Sequence, residues 1–165
     1  MATIRIVSYA PDRKAGFIRR SAWWIERSFD TAEPRDQAES DRIDQEPARG
    51  GMIFFAPDEQ GHALATCIAR SGGKGIRELA KLGSDSCLPH PVTGTAAFRA
   101  AETWTSARGA RCINILKDSS LHAAKHIYES HGFRRFGLPP ARIRLCAGRL
   151  CSGEVSREPR EKIAR

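Results

Sequence analysis

With 165 residues, 41% of them hydrophobic and 28% charged, the chain is long enough for one domain with a sizeable core and short for two. Its 27 lysines and arginines outnumber 19 acidic residues, and nine basic against three acidic residues from Arg134 onward mark the end of the chain as a solvated basic tail. Five scattered cysteines (Cys67, Cys87, Cys112, Cys146 and Cys151) form no C-x-x-C pair, which argues against a disulfide framework or a zinc site, and no apolar run reaches the ~20 residues of a membrane span.

Thr3-Ile4-Arg5-Ile6-Val7-Ser8-Tyr9 alternates in period two and predicts a first strand. The start of the chain lacks the basic-then-apolar layout of a secretory signal, so a cytoplasmic protein is expected. Pro11 suits the first turn of a helix running to about Phe29, whose Phe17, Ala22, Trp24, Ile25 and Phe29 make an apolar stripe. The polar segment 30–50 predicts one short helix around Arg35–Asp41 and otherwise loop. Met52–Ala56 and His62–Ala69 flank Pro57-Asp58-Glu59-Gln60-Gly61 and predict a β-hairpin; a glycine-rich turn then leads to a third strand, Ile76–Gly83.

A helix over Gly94–Ala107 is closed by Gly109 and followed by a strand at Cys112–Leu116. Asp118-Ser119-Ser120 offers caps for a helix over Leu121–Ser130, which Gly132 ends. Phe133–Gly137 and Ala141–Ala147 predict two last strands around Pro139-Pro140. The order β-α-α-β-β-β-α-β-α-β-β implies an α/β fold on a mixed sheet, antiparallel first and joined by helical crossovers later. Residues 1–147 form the expected domain and 148–165 a basic, flexible tail.

Glu78-Leu79-Ala80-Lys81-Leu82, the helix ending Ala107-Arg108-Gly109-Ala110, the strand Cys112–Leu116 and Ile127-Tyr128-Glu129-Ser130-His131-Gly132-Phe133 carry a resemblance. In this spacing they resemble the GNAT superfamily of N-acetyltransferases, and the last run is similar to its LY-x-x-x-GF signature. The likeness spans about residues 3–147 and implies a GNAT-like acyl-CoA N-acyltransferase fold. It also implies acetyl-CoA as acetyl donor, an amine on a small molecule or protein as acceptor, and room for a homodimer, since family members are often dimers; the absence of ligand spacing predicts no metal.

The resemblance further implies that the strands Ile76–Gly83 and Cys112–Leu116 splay around the pantetheine arm. Backbone amides at Leu82, Gly83 and Ser84 would bind that arm. Thr93, Gly94 and Thr95 at the helix start would take the pyrophosphate, where unpaired N–H groups and the helix dipole favour an anion. Asp118 and Leu121 would also face the cofactor. The family's [Gln/Arg]-x-x-Gly-x-[Gly/Ala] loop is altered here: of Pro89-His90-Pro91-Val92-Thr93-Gly94 only Gly94 matches, and neither proline has an N–H to donate.

Tyr128 falls on the family's general-acid position, with a buried core tyrosine as the bland alternative. Glu78 is the candidate general base, its pKa raised if apolar neighbours surround it, and an ordinary strand-edge charge otherwise. His122 and His126 lie four apart but have no third ligand in view, which leaves them as solvated histidines. Two functions therefore stand side by side: an N-acetyltransferase, and a catalytically impaired protein of the same fold that binds or regulates. A nucleic-acid partner rests on the basic end alone, without interleaved aromatics, and a membrane partner on nothing.

Overall fold

The computed structural model describes residues 4–29, 34–73, 75–84, 92–118, 127–136 and 142–148. Strand β1 is Val7–Ser8, helix α1 Lys14–Phe29 and helix α2 Pro34–Asp41; strands β2, β3 and β4 are Met52–Pro57, Ala63–Ser71 and Ile76–Ser84. Helix α3 spans Val92–Ala107 and strand β5 Cys112–Asp118. Residues 127–130 are helical (α4), and strands β6, Arg134–Phe136, and β7, Arg142–Gly148, follow. They form one seven-stranded sheet in the order β1-β2-β3-β4-β5-β7-β6, in which β4 and β5 run parallel and the other neighbours antiparallel.

Helices cover both faces of this sheet, which is why its strands read as nearly continuous apolar runs rather than alternating ones. Phe54, Ala56, Ala65, Cys67, Ala69 and Leu79 point to the α3 face and pack with Ala97, Phe98, Ala101, Tyr128 and Phe133. Ile53, Phe55, Ala63 and Ile68 point to the α1 face, against Phe17 of α1 and Ile43. Neighbouring residues of β2 thus go to opposite cores, as the period-two pleat requires.

Two predicted helix ends have the geometry their glycines suggest. Gly109 (φ 73°) lets the Ala110 N–H reach back to the Thr105 carbonyl, and Gly132 (φ 81°) does the same for Phe133 and Tyr128. The first strand is shorter than predicted. Val7 and Ser8 pair with Phe55 and Phe54, so a longer β1 would run alongside Pro57, which has no N–H to offer and where the β2 register already shifts.

Other details differ by a few residues. Helix α3 begins at Val92 rather than Gly94, β5 continues to Asp118, and the 30–50 segment holds two short 3-10 turns, Ile43–Gln45 and Pro47–Arg49, beyond its helix. The predicted caps Ser119 and Ser120, Leu121, His122, His126, the loop through Pro89 and Pro91, Pro139-Pro140 and residues 149–165 lie outside the described residues.

Candidate active site

The centre of the sheet opens. Strands β4 and β5 pair from Ile76↔Cys112 to Leu79↔Ile115 and then part, although β4 has five more residues and β5 three. Each is held by its outer neighbour instead: β4 stays paired to β3 as far as Ser84↔Ala65, and β5 to β7 as far as Asp118↔Arg142. A wedge-shaped gap results, edged by backbone groups that the two strands no longer offer one another.

A bulge turns β4 at the start of the gap. Ala80 pairs with Ile68 and Gly83 with Thr66, so three steps on β4 match two on β3. Lys81 takes up the extra residue at φ 50°, a left-handed conformation that a lysine adopts at some cost. The buried Thr66 hydroxyl donates to the Lys81 carbonyl at 3.1 Å and pins the bulge. Thr66 carries no sequence signal of this role, because it sits inside an otherwise apolar strand.

Of the residues expected to bind cofactor, Leu82, Gly83 and Ser84 lie on β4 beyond its last pair with β5. Thr93, Gly94 and Thr95 lie in the first turn of α3, where helix N–H groups have no intrahelical acceptor. The two groups meet through glycine. A Cβ on Gly94 would sit 3.1 Å from the Ser84 side chain, so its absence lets the helix start approach the end of β4. Gly83 in turn lies under Trp24 of α1, whose ring would be 3.3 Å from a Cβ there. Val92 opens the helix with its side chain 53% exposed, turned outward rather than into this contact. Asp118 ends β5, and Leu121 lies outside the described residues.

The two catalytic candidates sit on opposite faces. Tyr128 belongs to the α3-face core, 5% exposed, with ring centroids 5.5 Å from Phe98 and 6.3 Å from Phe133. Burial first, and Cys67 second, raise its pKa, so the phenol keeps its proton at neutral pH. His131 lies beside it, its Nδ1 2.8 Å from a Glu102 carboxylate and its ring edge-on to Phe98.

Glu78 alternates with Leu79 and so faces α1 and α2. The apolar surroundings expected for it are absent. Its cross-strand partner is Arg70, whose guanidinium lies 4.0 Å from Glu78, 2.8 Å from Glu46 and 3.8 Å from Glu39, while Lys81 Nζ is 3.4 Å from Glu39. The carboxylate is thus set among charged side chains, and any role as base rests on position. The opening between β4 and β5 begins past Leu79, two residues beyond Glu78. Among the described residues no group of three or more His, Cys, Asp or Glu could hold a metal ion, and no helix is long and apolar enough to cross a membrane.

No protein-family model and no curated protein sequence matches the chain. Solved structures do match in fold. A GNAT-family acetyltransferase from Staphylococcus aureus superposes with a TM-score of 0.78 at 16% identity, over 87% of this chain and 98% of that one. The PaiA N-acetyltransferase of Thermoplasma acidophilum, in complex with coenzyme A, does so at 0.75 and 11%, over 90% and 100%. A GNAT-family acetyltransferase from Brucella melitensis, in complex with acetyl-CoA, reaches 0.65 at 17%, over 87% and 86%. The chain has the GNAT acyl-CoA N-acyltransferase fold.

Proposed function

We propose that this chain moves an acetyl group from acetyl-CoA to a primary amine of a small molecule or protein. The observation that carries the reading is the parting of β4 and β5 after Leu79 and Ile115, with the first turn of α3 seated against the end of β4. Fold neighbours described as bound to coenzyme A or acetyl-CoA support the choice of donor.

The residues present fit that donor. Leu82, Gly83 and Ser84 would bind its pantetheine arm through backbone groups, and Thr93, Gly94 and Thr95 its pyrophosphate. Pro89 and Pro91 precede Val92, so the N–H groups of the first turn are untouched by them. Asp118 and Leu121 would stand on the β5 side. When bound, acetyl-CoA supplies an activated acetyl thioester. Glu78, from the α1 face, would take the proton of the incoming ammonium at its carboxylate, directly or through water. Tyr128, from the α3 face, would hold a proton at its hydroxyl for the departing sulfur. We assign this activity to residues 1–147 and treat 148–165 as a basic tail.

Calorimetric titration of acetyl-CoA into the wild type and Tyr128→Phe is the deciding experiment. Micromolar binding in both is expected, and CoA release with an amine panel should fall about 10²–10³-fold in Tyr128→Phe. No heat of binding at millimolar acetyl-CoA would refute the reading.

A further inference from the structure

A second concave site lies away from the gap. A cavity of about 520 Å³ is bounded by the start of the chain and β1, the first half of α1, the end of β2 and the turn that follows; β4, α3 and β5 contribute nothing to it. Its volume falls in the range of small-molecule sites.

Three guanidiniums line it: Arg5, Arg13 and Arg19. Arg13 is held in place by donating to the Ser8 carbonyl at 2.9 Å. Among the described residues, Arg5 and Arg19 have no hydrogen-bond or ion-pair partner. Asp12, Asp58 and Glu59 line the cavity with them, so its formal charge is balanced; Asp58 is turned to His62, its two carboxylate oxygens 2.7 Å from the backbone N and 3.0 Å from Nδ1, and not to a guanidinium. Asp12 and Glu59 are the lining carboxylates left to accept hydrogen bonds from a ligand.

Gly16 forms part of the wall and is independent of the charges. It lies inside α1, where glycine is a poor helix former, and a Cβ there would meet nothing within 4 Å. Packing therefore does not exclude a side chain at 16; what its absence leaves is space. A smaller cavity of about 200 Å³ continues from it past Gly16, Arg19 and Ala63 to Arg20, Trp23 and His62, giving room beyond the arginines.

We propose that this cavity binds a small phosphate monoester. The phosphate would be held by Arg5, Arg13 and Arg19, since planar guanidiniums suit the oxygens of a dianion. Hydroxyl groups on the ester would donate to Asp12 and Glu59. The site is separate from the proposed acetyl-CoA cleft and stands or falls without it.

The test is an amide NMR titration of the full chain with glycerol 3-phosphate, with sodium chloride at matched ionic strength and malate as controls. Saturable shifts are expected at Arg13–Arg19 and at residues 58–63, unchanged when acetyl-CoA is also present. Arg5→Gln combined with Arg19→Gln should weaken binding about tenfold or more. Gly16→Leu, at an open helical position, should block the cavity while the rest of the spectrum keeps its dispersion. Non-saturating shifts matched by chloride, shifts confined to the first turn of α3, stronger binding of malate, or indifference to the arginine pair would each overturn the proposal.

Discussion

The two faces of the sheet are held together by different physics. The α3 face is a tight neutral core in which small strand residues (Ala65, Cys67, Ala69) let α3 settle close, and Phe98 fills the space between Tyr128, His131 and Phe133. The α1 face has an apolar centre around Phe17 and Phe55, but the segment after α1 is fastened by ions, with Arg70 and Lys81 among Glu39, Glu46 and Glu78. Packing fixes positions to fractions of an ångström, whereas ion pairs near water yield cheaply. If the proposed function holds, the difference suits a rigid side for the cofactor and a yielding side for the acceptor. It also says which substitutions should hurt most.

The largest effect should come from the neutral face. Phe98 has 0% exposure and touches three rings, so Phe98→Ala should cost about 3–5 kcal/mol in urea unfolding without a change in m-value. A cost below that of the ionic substitutions discussed below would break the comparison.

Next comes alkaline pH. Burial pushes the Cys67 thiol up to about 12 and raises the Tyr128 phenol as well. Both stay protonated in the folded state while the unfolded chain begins to release these protons near its ordinary values of 9 and 10. The unfolded state therefore binds fewer protons above pH 9, and stability falls as pH climbs from 9 toward 12, by an amount on the order of a few kcal/mol. Below pH 9 these two groups contribute no pH dependence. Cys67→Ala should flatten the early part of the decline, and a wild-type stability that is level to pH 11 would contradict the buried placement of both groups.

What the sequence made legible follows the same division. The hairpin around Asp58–Gly61 and the helix ends at Gly109 and Gly132 could be read because each depends on a local residue with a local preference. The apolar runs of β2 and β3 announced burial, though not which face each residue would take. The bulge at Lys81 was hidden: a left-handed lysine has no composition cue, and its anchor Thr66 lies on another strand. The setting of Glu78 was hidden for a related reason. Arg70 joins it across a strand pair and joins Glu46 over 24 residues of chain, so the charges around the carboxylate exist only once the sheet is built. Arg5, Arg13 and Arg19 carry no motif, and only the fold sets them around one cavity.

A middling effect is expected at the ionic cluster. Arg70→Met leaves Glu46, whose side chain is 13% exposed, without its 2.8 Å partner, and should cost about 1–3 kcal/mol. Part of that penalty should disappear in 0.5 M sodium chloride, because screening weakens the wild-type cluster, whereas the Phe98→Ala penalty should not respond to salt. Equal salt responses would dissolve the distinction between the two faces.

The smallest effect belongs to Lys14 and Asp44, an ion pair of 3.0 Å at the surface of the same α1 face. The hydrogen bond from Lys14 is the main influence holding the Asp44 carboxyl below its ordinary pKa. A lowered carboxylate favours the folded state at neutral pH and loses that contribution as pH falls through the folded value. Asp44 is open to solvent, however, and screening leaves little of the pair energy to lose. Lys14→Met should thus leave unfolding midpoints within experimental error while the Asp44 carboxyl, followed by NMR, moves back up toward its usual pKa. A stability loss comparable to that of Arg70→Met would show that exposed and half-buried ions contribute alike here, and would remove the reason for placing the strength of this face in the Arg70 cluster.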